Sequence, residues 1–118
     1  MTETEAIVRN WFALWEKGRY QDLPLHDDFV HCSPFGSISG KTEYLSLVRS
    51  NEDKFLNQVF EIQDMMCYEG KACVRYKAIQ GDFSLDVSEW IYIESGLIHK
   101  IHSYYHIGDI RKDRQLKM

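Results

Sequence analysis

The sequence lacks the features that mark several large protein classes. Its three cysteines are an odd number among 118 residues, with no C-x-x-C pair, so we expect reduced thiols and no metal site. No apolar run is long enough to span a membrane, and no signal-peptide pattern is present. We therefore expect one domain over residues 1–118, located in the cytoplasm and without membrane contact.

Positive charge is also scarce, with 14 Lys and Arg against 18 Asp and Glu, a net charge of −4. The only basic cluster lies in the last residues, where we expect a frayed, solvent-exposed tail. This distribution argues against nucleic acid as a partner, because nucleic-acid binding needs a clustered cationic face. No phosphate loop, dinucleotide fingerprint or nucleophile elbow occurs, so we expect no cofactor.

What the chain does have is one long alternating segment, F-S-L-D-V-S-E-W-I-Y-I at 83–93. Apolar side chains recur at every second position, which predicts a half-buried β-strand. Glu89 is the exception, because it is the one carboxylate on the apolar face. A buried carboxylate is costly unless it is paired, hydrogen-bonded or protonated. The segment therefore predicts a core wall and a candidate site together.

The remaining periodicities place helices mostly before strands. Thr4 is a candidate N-cap of the first helix, and Ser39 or Thr42 of the third. Glycine-containing turns separate the later strands. This order predicts an α+β fold, a cone-shaped curved antiparallel sheet packed against about three N-terminal helices, with a concavity suited to a small molecule. The predicted elements are helices at 4–17, 19–25 and 41–51, and strands at 29–33, 55–67, 71–80, 83–93 and 97–107.

Three segments resemble the nuclear transport factor 2-like superfamily. They are V-R-N-W-F-A-L-W-E-K-G-R-Y-Q-D-L, H-D-D-F-V-H-C-S-P-F-G and S-E-W-I-Y-I-E-S-G-L-I-H-K-I-H-S-Y-Y. That superfamily includes ketosteroid isomerases, scytalone dehydratase and SnoaL-like polyketide cyclases. The resemblance covers about residues 4–108 and implies the fold more specifically than the function, because this fold carries enzymes and non-enzymes alike.

The ketosteroid isomerase pattern implies roles for three positions. Its general-base aspartate precedes a proline, where this chain has Ser33 before Pro34. Its oxyanion tyrosine lies on the first helix, where this chain has Trp11, and its protonated aspartic acid corresponds to Glu89. Only Glu89 retains the chemistry, because Ser33 cannot act as a carboxylate base and an indole does not titrate usefully. A steroid isomerase of that mechanism is therefore disfavoured.

Glu89 and His31 are the candidate catalytic residues. Desolvation would raise the pKa of Glu89, so that its carboxyl group could act as a general acid. His31 shares a strand face with Ser33, and its imidazole titrates near neutrality. The alternatives are a structural buried acid and a packed histidine. The other candidate pocket residues are Trp11, Trp15, Ser33, Tyr76, Ser103 and Tyr105, each of which could serve the core alone.

The opposite face of the predicted sheet carries Trp90, Tyr92, His102 and Tyr104, which we call the outer aromatic patch. Aromatic side chains exposed on a sheet often mark an interface, so we expect a homodimer through this face, as the resemblance also implies. Strand parity places His102 with His106 and opposite His99, without a carboxylate to complete a metal set.

Two functions remain open from the sequence. The first is an isomerase, dehydratase or cyclase that transfers protons on an apolar carbonyl or polyketide-like compound. The second is a non-catalytic ligand-binding or dimeric interaction module of the same fold. An open cavity holding Glu89 and His31 near one ligand atom would favour the first. A cavity filled by Trp11, Trp15 and phenylalanine side chains would favour the second.

Overall fold

Six strands form one curved, unclosed sheet in the computed structural model, which describes residues 1–117. The strand order is β2-β1-β6-β5-β4-β3. Three helices pack against the sheet, so the predicted α+β class is confirmed. The elements are α1 (Glu3–Glu16), β1 (Leu25–Ser33), β2 (Gly36–Ser39), α2 (Lys41–Ser50), α3 (Glu52–Phe55), β3 (Val59–Tyr68), β4 (Lys71–Gln80), β5 (Phe83–Glu94) and β6 (Leu97–Tyr104).

The sheet is mixed rather than wholly antiparallel. β3, β4, β5 and β6 form an antiparallel meander, but β1 pairs with β6 in parallel, with His31 opposite Ile101. A parallel pair needs a long crossover between its strands. Here the connection from β1 to β6 contains β2, α2, α3, β3, β4 and β5. No local sequence pattern could therefore reveal this pairing.

The first helix buries an apolar stripe that includes Val8, Trp11 and Trp15. Its N-cap is Thr2, whose hydroxyl accepts a hydrogen bond from the Glu5 amide at 3.1 Å. The prediction of Thr4 as the cap was therefore wrong. Thr4 is buried, and its hydroxyl accepts a hydrogen bond of 3.0 Å from the Gly70 amide in the turn between β3 and β4. The helix start is thus bound to the sheet.

Several other local predictions differ from the structure. The segment predicted as a second helix is one 3-10 turn, Tyr20–Asp22, and the loop predicted around Gly36 contains β2. The N-cap of α2 is Gly40, which has no side chain to form a capping hydrogen bond. Ser39 is instead the last residue of β2, so its backbone follows the sheet.

The alternation predicted for 83–93 is observed in β5. Phe83, Val87 and Ile91 are buried on the face that packs under the helices. Glu89 lies on this face, and its side chain is 5% exposed. The prediction that His99 and His102 lie on opposite faces of β6 was wrong, because the β5–β6 register shifts after Tyr92. His99 and His102 consequently both lie beside the Tyr92 ring, with centroid distances of 6.4 and 6.1 Å.

The C-terminal tail, residues 107–117, is anchored rather than frayed. Asn51 is fully buried, and its side-chain amide forms two hydrogen bonds with the main chain of Lys117, at 2.9 and 2.7 Å. Arg111 also pairs with Asp82 at 3.2 Å. The prediction of a frayed tail was wrong because its anchor, Asn51, lies 66 residues earlier. Within residues 1–117, no helix is long and apolar enough to cross a membrane.

Candidate functional site

A cavity of about 480 Å³ lies between the inner face of the sheet and the helices. α1 supplies Trp11 and Trp15 to its wall, α2 supplies Tyr44, and the tail supplies Arg114 and Leu116. This volume falls within the range of small-molecule sites. The tryptophans therefore line the concavity without filling it.

The structure brings all the predicted pocket residues to this one cavity. They come from α1, β1, β4, β5, β6 and the residue after β6. Their placement follows from the inward faces of the strands, which meet where the curved sheet encloses space. The predicted residues in the wall are Trp11, Trp15, His31, Ser33, Tyr76, Glu89, Ser103 and Tyr105.

Ser103 joins the two candidate catalytic residues. Glu89 and Ser103 are directly opposite each other in the β5–β6 register, and the Ser103 hydroxyl donates a hydrogen bond of 2.5 Å to Oε2 of Glu89. The same hydroxyl lies 3.3 Å from Nε2 of His31. A continuous polar path of three side chains, the Glu89–Ser103–His31 relay, therefore runs along the cavity wall.

Glu89 is the most deeply buried member of this relay. Burial raises the pKa of its carboxyl group, and the hydroxyls of Ser103 and Tyr76 oppose that rise only in part. Its second oxygen, Oε1, is buried and accepts no hydrogen bond of normal geometry from residues 1–117. A carboxylate with one unsatisfied buried oxygen is costly, which favours the protonated form.

His31 is held against the aromatic wall in its neutral form. Burial, together with the charge on nearby His102, lowers its pKa to about 4. Its ring stacks on Tyr44 at a centroid distance of 5.2 Å and an interplanar angle of 22°. Because His31 is only partly buried, it is the relay residue that a ligand in the cavity can reach most easily.

The hydroxyl-bearing residues of the wall differ in their surroundings. Burial raises the pKa of Tyr76 well above its ordinary value, and the charge of Glu89 adds to this rise. Tyr105 is partly buried, and its ring lies 6.1 Å from that of Phe35. Ser33 accepts a hydrogen bond of 3.2 Å from the Phe35 amide, within its own loop. Ser33 is therefore a polar wall residue whose hydroxyl is engaged within its own loop.

The two tryptophans of α1 have both of the roles predicted for them, packing in the core and lining the cavity. Their rings contact edge to face at 5.7 Å, and each side chain is 4% exposed. Trp15 also stacks on Tyr20 and Phe55. The pair thus belongs to the core and at the same time forms part of the cavity wall.

Among the wall residues that the sequence did not predict, two bear on the chemistry of the cavity. Tyr44 was not among the predicted site residues, although it is the residue that stacks on His31. Its position four residues before buried Val48 was the available signal. Arg114 had no local signal, because its place at the cavity follows from the anchored tail.

The outer aromatic patch lies on the opposite side of the sheet. Trp90 and Tyr104 are 41% and 57% exposed. Tyr92 and His102 are partly buried, and His102 stacks on Tyr104 at 6.4 Å. Over residues 1–117, no three His, Cys, Asp or Glu side chains come together to form a metal site.

A scan against protein-family models gives no match, and a search of curated proteins gives none either. Solved structures do match over most of their length. An NTF2-like protein of unknown function from Cytophaga hutchinsonii is 17% identical, with 87% of this chain and 89% of that chain covered and a TM-score of 0.73.

Two further structures carry functional descriptions. One, from Kribbella flavida, is provisionally described as a ketosteroid isomerase; it is 18% identical, covers 88% of this chain and 78% of its own, and has a TM-score of 0.76. The other is an LEH-like epoxide hydrolase from M. tuberculosis. It is 18% identical, the match covers 91% of this chain and 85% of that chain, and the TM-score is also 0.76. At such identities these matches establish the architecture. The chain has the nuclear transport factor 2-like fold.

Proposed function

We propose that the cavity binds a small apolar molecule and that the Glu89–Ser103–His31 relay moves protons to and from it. The observation that carries this proposal is the Ser103 hydroxyl, which lies 2.5 Å from Glu89 and 3.3 Å from His31 in the cavity wall. General acid–base catalysis needs titratable groups within hydrogen-bond reach of one another and of the substrate. The reaction class is a cofactor-independent isomerisation, dehydration or cyclisation.

The relay has a defined direction when both ends are neutral. Protonated Glu89 donates to the Ser103 oxygen, and the Ser103 hydroxyl donates to Nε2 of His31. Nδ1 of His31 then carries the ring proton and can donate it to the ligand. A proton given to the substrate by Nδ1 is replaced as Nε2 takes the Ser103 proton and Ser103 takes the proton of Glu89, which becomes a carboxylate. Return of a substrate proton to Nδ1 reverses these transfers and leaves Glu89 protonated again. The low pKa of His31 makes it a weak base that releases the proton readily to a developing product.

The wall supports an apolar substrate with one polar group. Aromatic side chains from α1, α2 and the sheet form most of the surface, and the relay with Tyr76 and Tyr105 forms the polar part. A carbonyl group held there could accept a hydrogen bond from a tyrosine hydroxyl while its α-carbon exchanges a proton. This arrangement fits cyclic ketones, enones and polyketide-like compounds.

Deuterium exchange tests the proposal directly. The protein is incubated in D₂O with a panel of cyclic ketones and enones, and incorporation at the α-carbon is followed by mass spectrometry. We expect wild-type exchange above the buffer rate and a loss of roughly 100-fold or more in Glu89→Gln. Glu94→Gln, at the exposed end of the same strand, is the matched control. Exchange that survives Glu89→Gln would overturn the role of Glu89.

The alternative is a non-catalytic ligand-binding or dimeric interaction module. It is favoured by Ser33, which offers no carboxylate at the position where the ketosteroid isomerase pattern has its base, and whose hydroxyl is engaged by the Phe35 amide. In that case a neutral apolar probe such as 1-N-phenylnaphthylamine binds the cavity, but no ketone exchanges deuterium above the buffer rate. The same pair of measurements therefore separates the two functions.

We also propose that two copies associate through the outer aromatic patch. Within the patch, the Trp90 and Tyr104 rings are the large exposed surfaces. Trp90 lies directly opposite His102 in the β5–β6 register, so the four side chains form one continuous surface. Aromatic surface of this kind is enriched in interfaces and is costly to leave in water.

A further inference from the structure

The guanidinium of Arg114 lies at the cavity wall, and its hydrogen-bond acceptors among residues 1–117 are neutral. It packs over the Phe83 ring, with 4.8 Å between the guanidinium carbon and the ring centroid. It donates a hydrogen bond of 2.9 Å to the Lys54 carbonyl and another to the Gln80 side-chain oxygen. Its Nε atom is buried without a partner among residues 1–117.

Two carboxylates of the described residues influence Arg114, and both are already bound to other cations. Asp113 pairs with Arg111 at 3.2 Å, and Asp53 pairs with Lys54 at 3.0 Å. Partial burial lowers the pKa of Arg114, which is the sign of a cation that has lost water without gaining a full counter-charge. An anion beside this group would recover part of that cost.

The cavity has a cationic group, Arg114, at a distance from the Glu89–Ser103–His31 relay. Phe83 and Glu89 are six residues apart on β5, a distance of about 20 Å along an extended strand. Leu85 and Val87 lie between them, face inward and line the cavity. An apolar floor therefore separates the cation from the relay.

We infer that the ligand is an apolar carboxylic acid with an oxo or hydroxyl group. Its carboxylate binds Arg114, its hydrocarbon body lies over Leu85 and Val87, and its oxygen function lies at the Glu89–Ser103–His31 relay. This inference rests on the proposed function, since it requires that the cavity admit a ligand. A purely structural Arg114, serving only to anchor the tail, predicts no preference for acids.

Two probes of equal chain length test the inference by calorimetry at pH 7.5. Octanoate and octanamide differ chiefly in charge. We expect wild-type protein to bind octanoate at least about tenfold more tightly, as for a hydrogen bond to a charged group. Arg114→Gln should remove this preference by lowering octanoate affinity to that of octanamide, and Arg114→Lys should retain part of it.

Arg111→Gln is the matched control, because Arg111 also anchors the tail but pairs with Asp82 and Asp113 at the surface. It should keep the preference for octanoate. Equal binding of both probes to wild-type protein, or a preference that survives Arg114→Gln, would overturn the inference and leave the cavity proposal standing. Binding of neither probe would overturn both. Melting temperatures of each variant show whether the fold is retained.

Discussion

Glu89 and Ser103 face each other directly across β5 and β6, and the serine hydroxyl is the hydrogen-bond partner of one carboxylate oxygen. Within residues 1–117, the other oxygen, Oε1, is buried and accepts no hydrogen bond of normal geometry. The Ser103 and Tyr76 hydroxyls offset the effect of burial on the pKa of Glu89 only in part. The pair therefore stores a proton more readily than an exposed glutamate does, which has consequences for stability as well as for chemistry.

Glu89→Gln should stabilise the protein increasingly as pH rises. Burial raises the pKa of Glu89 in the folded state, so its favourable contribution is complete below the ordinary value of about 4.5 and is lost as pH rises through the folded-state value. Urea unfolding at pH 4, 6 and 8 measures the difference from wild type. Glu94→Gln controls for removal of an exposed carboxyl group, and a pH-independent difference would contradict the assignment.

His31→Asn should show the opposite dependence. The pKa of His31 is lowered to about 4, so the neutral ring contributes fully above about 6.5, the ordinary value, and that contribution is lost as pH falls. Wild type should lose up to about 3 kcal/mol relative to the variant between pH 7 and pH 4. The exposed His106, changed to Asn, is the control. If His31→Asn loses as much stability between pH 7 and pH 4 as His106→Asn does, the assignment of a neutral His31 in the folded state is refuted.

Asn51→Ala should release the tail. The variant removes two hydrogen bonds to Lys117 and one to the Leu47 carbonyl from a fully buried side chain, at a cost of about 2–3 kcal/mol. Trypsin should then cleave after Arg111 or Arg114 faster than in wild type. Asn10→Ala, at an exposed position of α1, serves as the control. Unchanged cleavage would mean that other contacts hold the tail.

Trp90→Lys should produce a monomer. A charge in the centre of the outer aromatic patch opposes burial of that face. Light scattering after size-exclusion chromatography at micromolar concentration gives the mass directly. Phe35→Lys, at an exposed aromatic in the turn between β1 and β2, should leave the mass of a wild-type dimer unchanged. A monomeric wild type would refute association through this face.

Much of the architecture could be predicted because it depends on local patterns. The alternation at 83–93 placed Glu89 on the inner face, and the stripe on α1 placed Trp11 and Trp15 there as well. Caps and short elements were less predictable. Thr4 has the chemistry of a cap, but Thr2 performs that role, and Thr4 instead binds the distant Gly70 amide. When two neighbouring residues could both cap a helix, contacts with distant parts of the fold determine which one does.

Strand alternation is a property of neighbouring residues, so local patterns alone give which side chains leave each strand on the same face. Which faces meet depends on contacts between segments far apart in the chain. His31 and Ser103 are 72 residues apart and come within 3.3 Å because β1 pairs in parallel with β6. Arg114 reaches the cavity because buried Asn51 holds the tail. Long-range pairing depends on the free energy of the whole fold, so no local pattern encodes it.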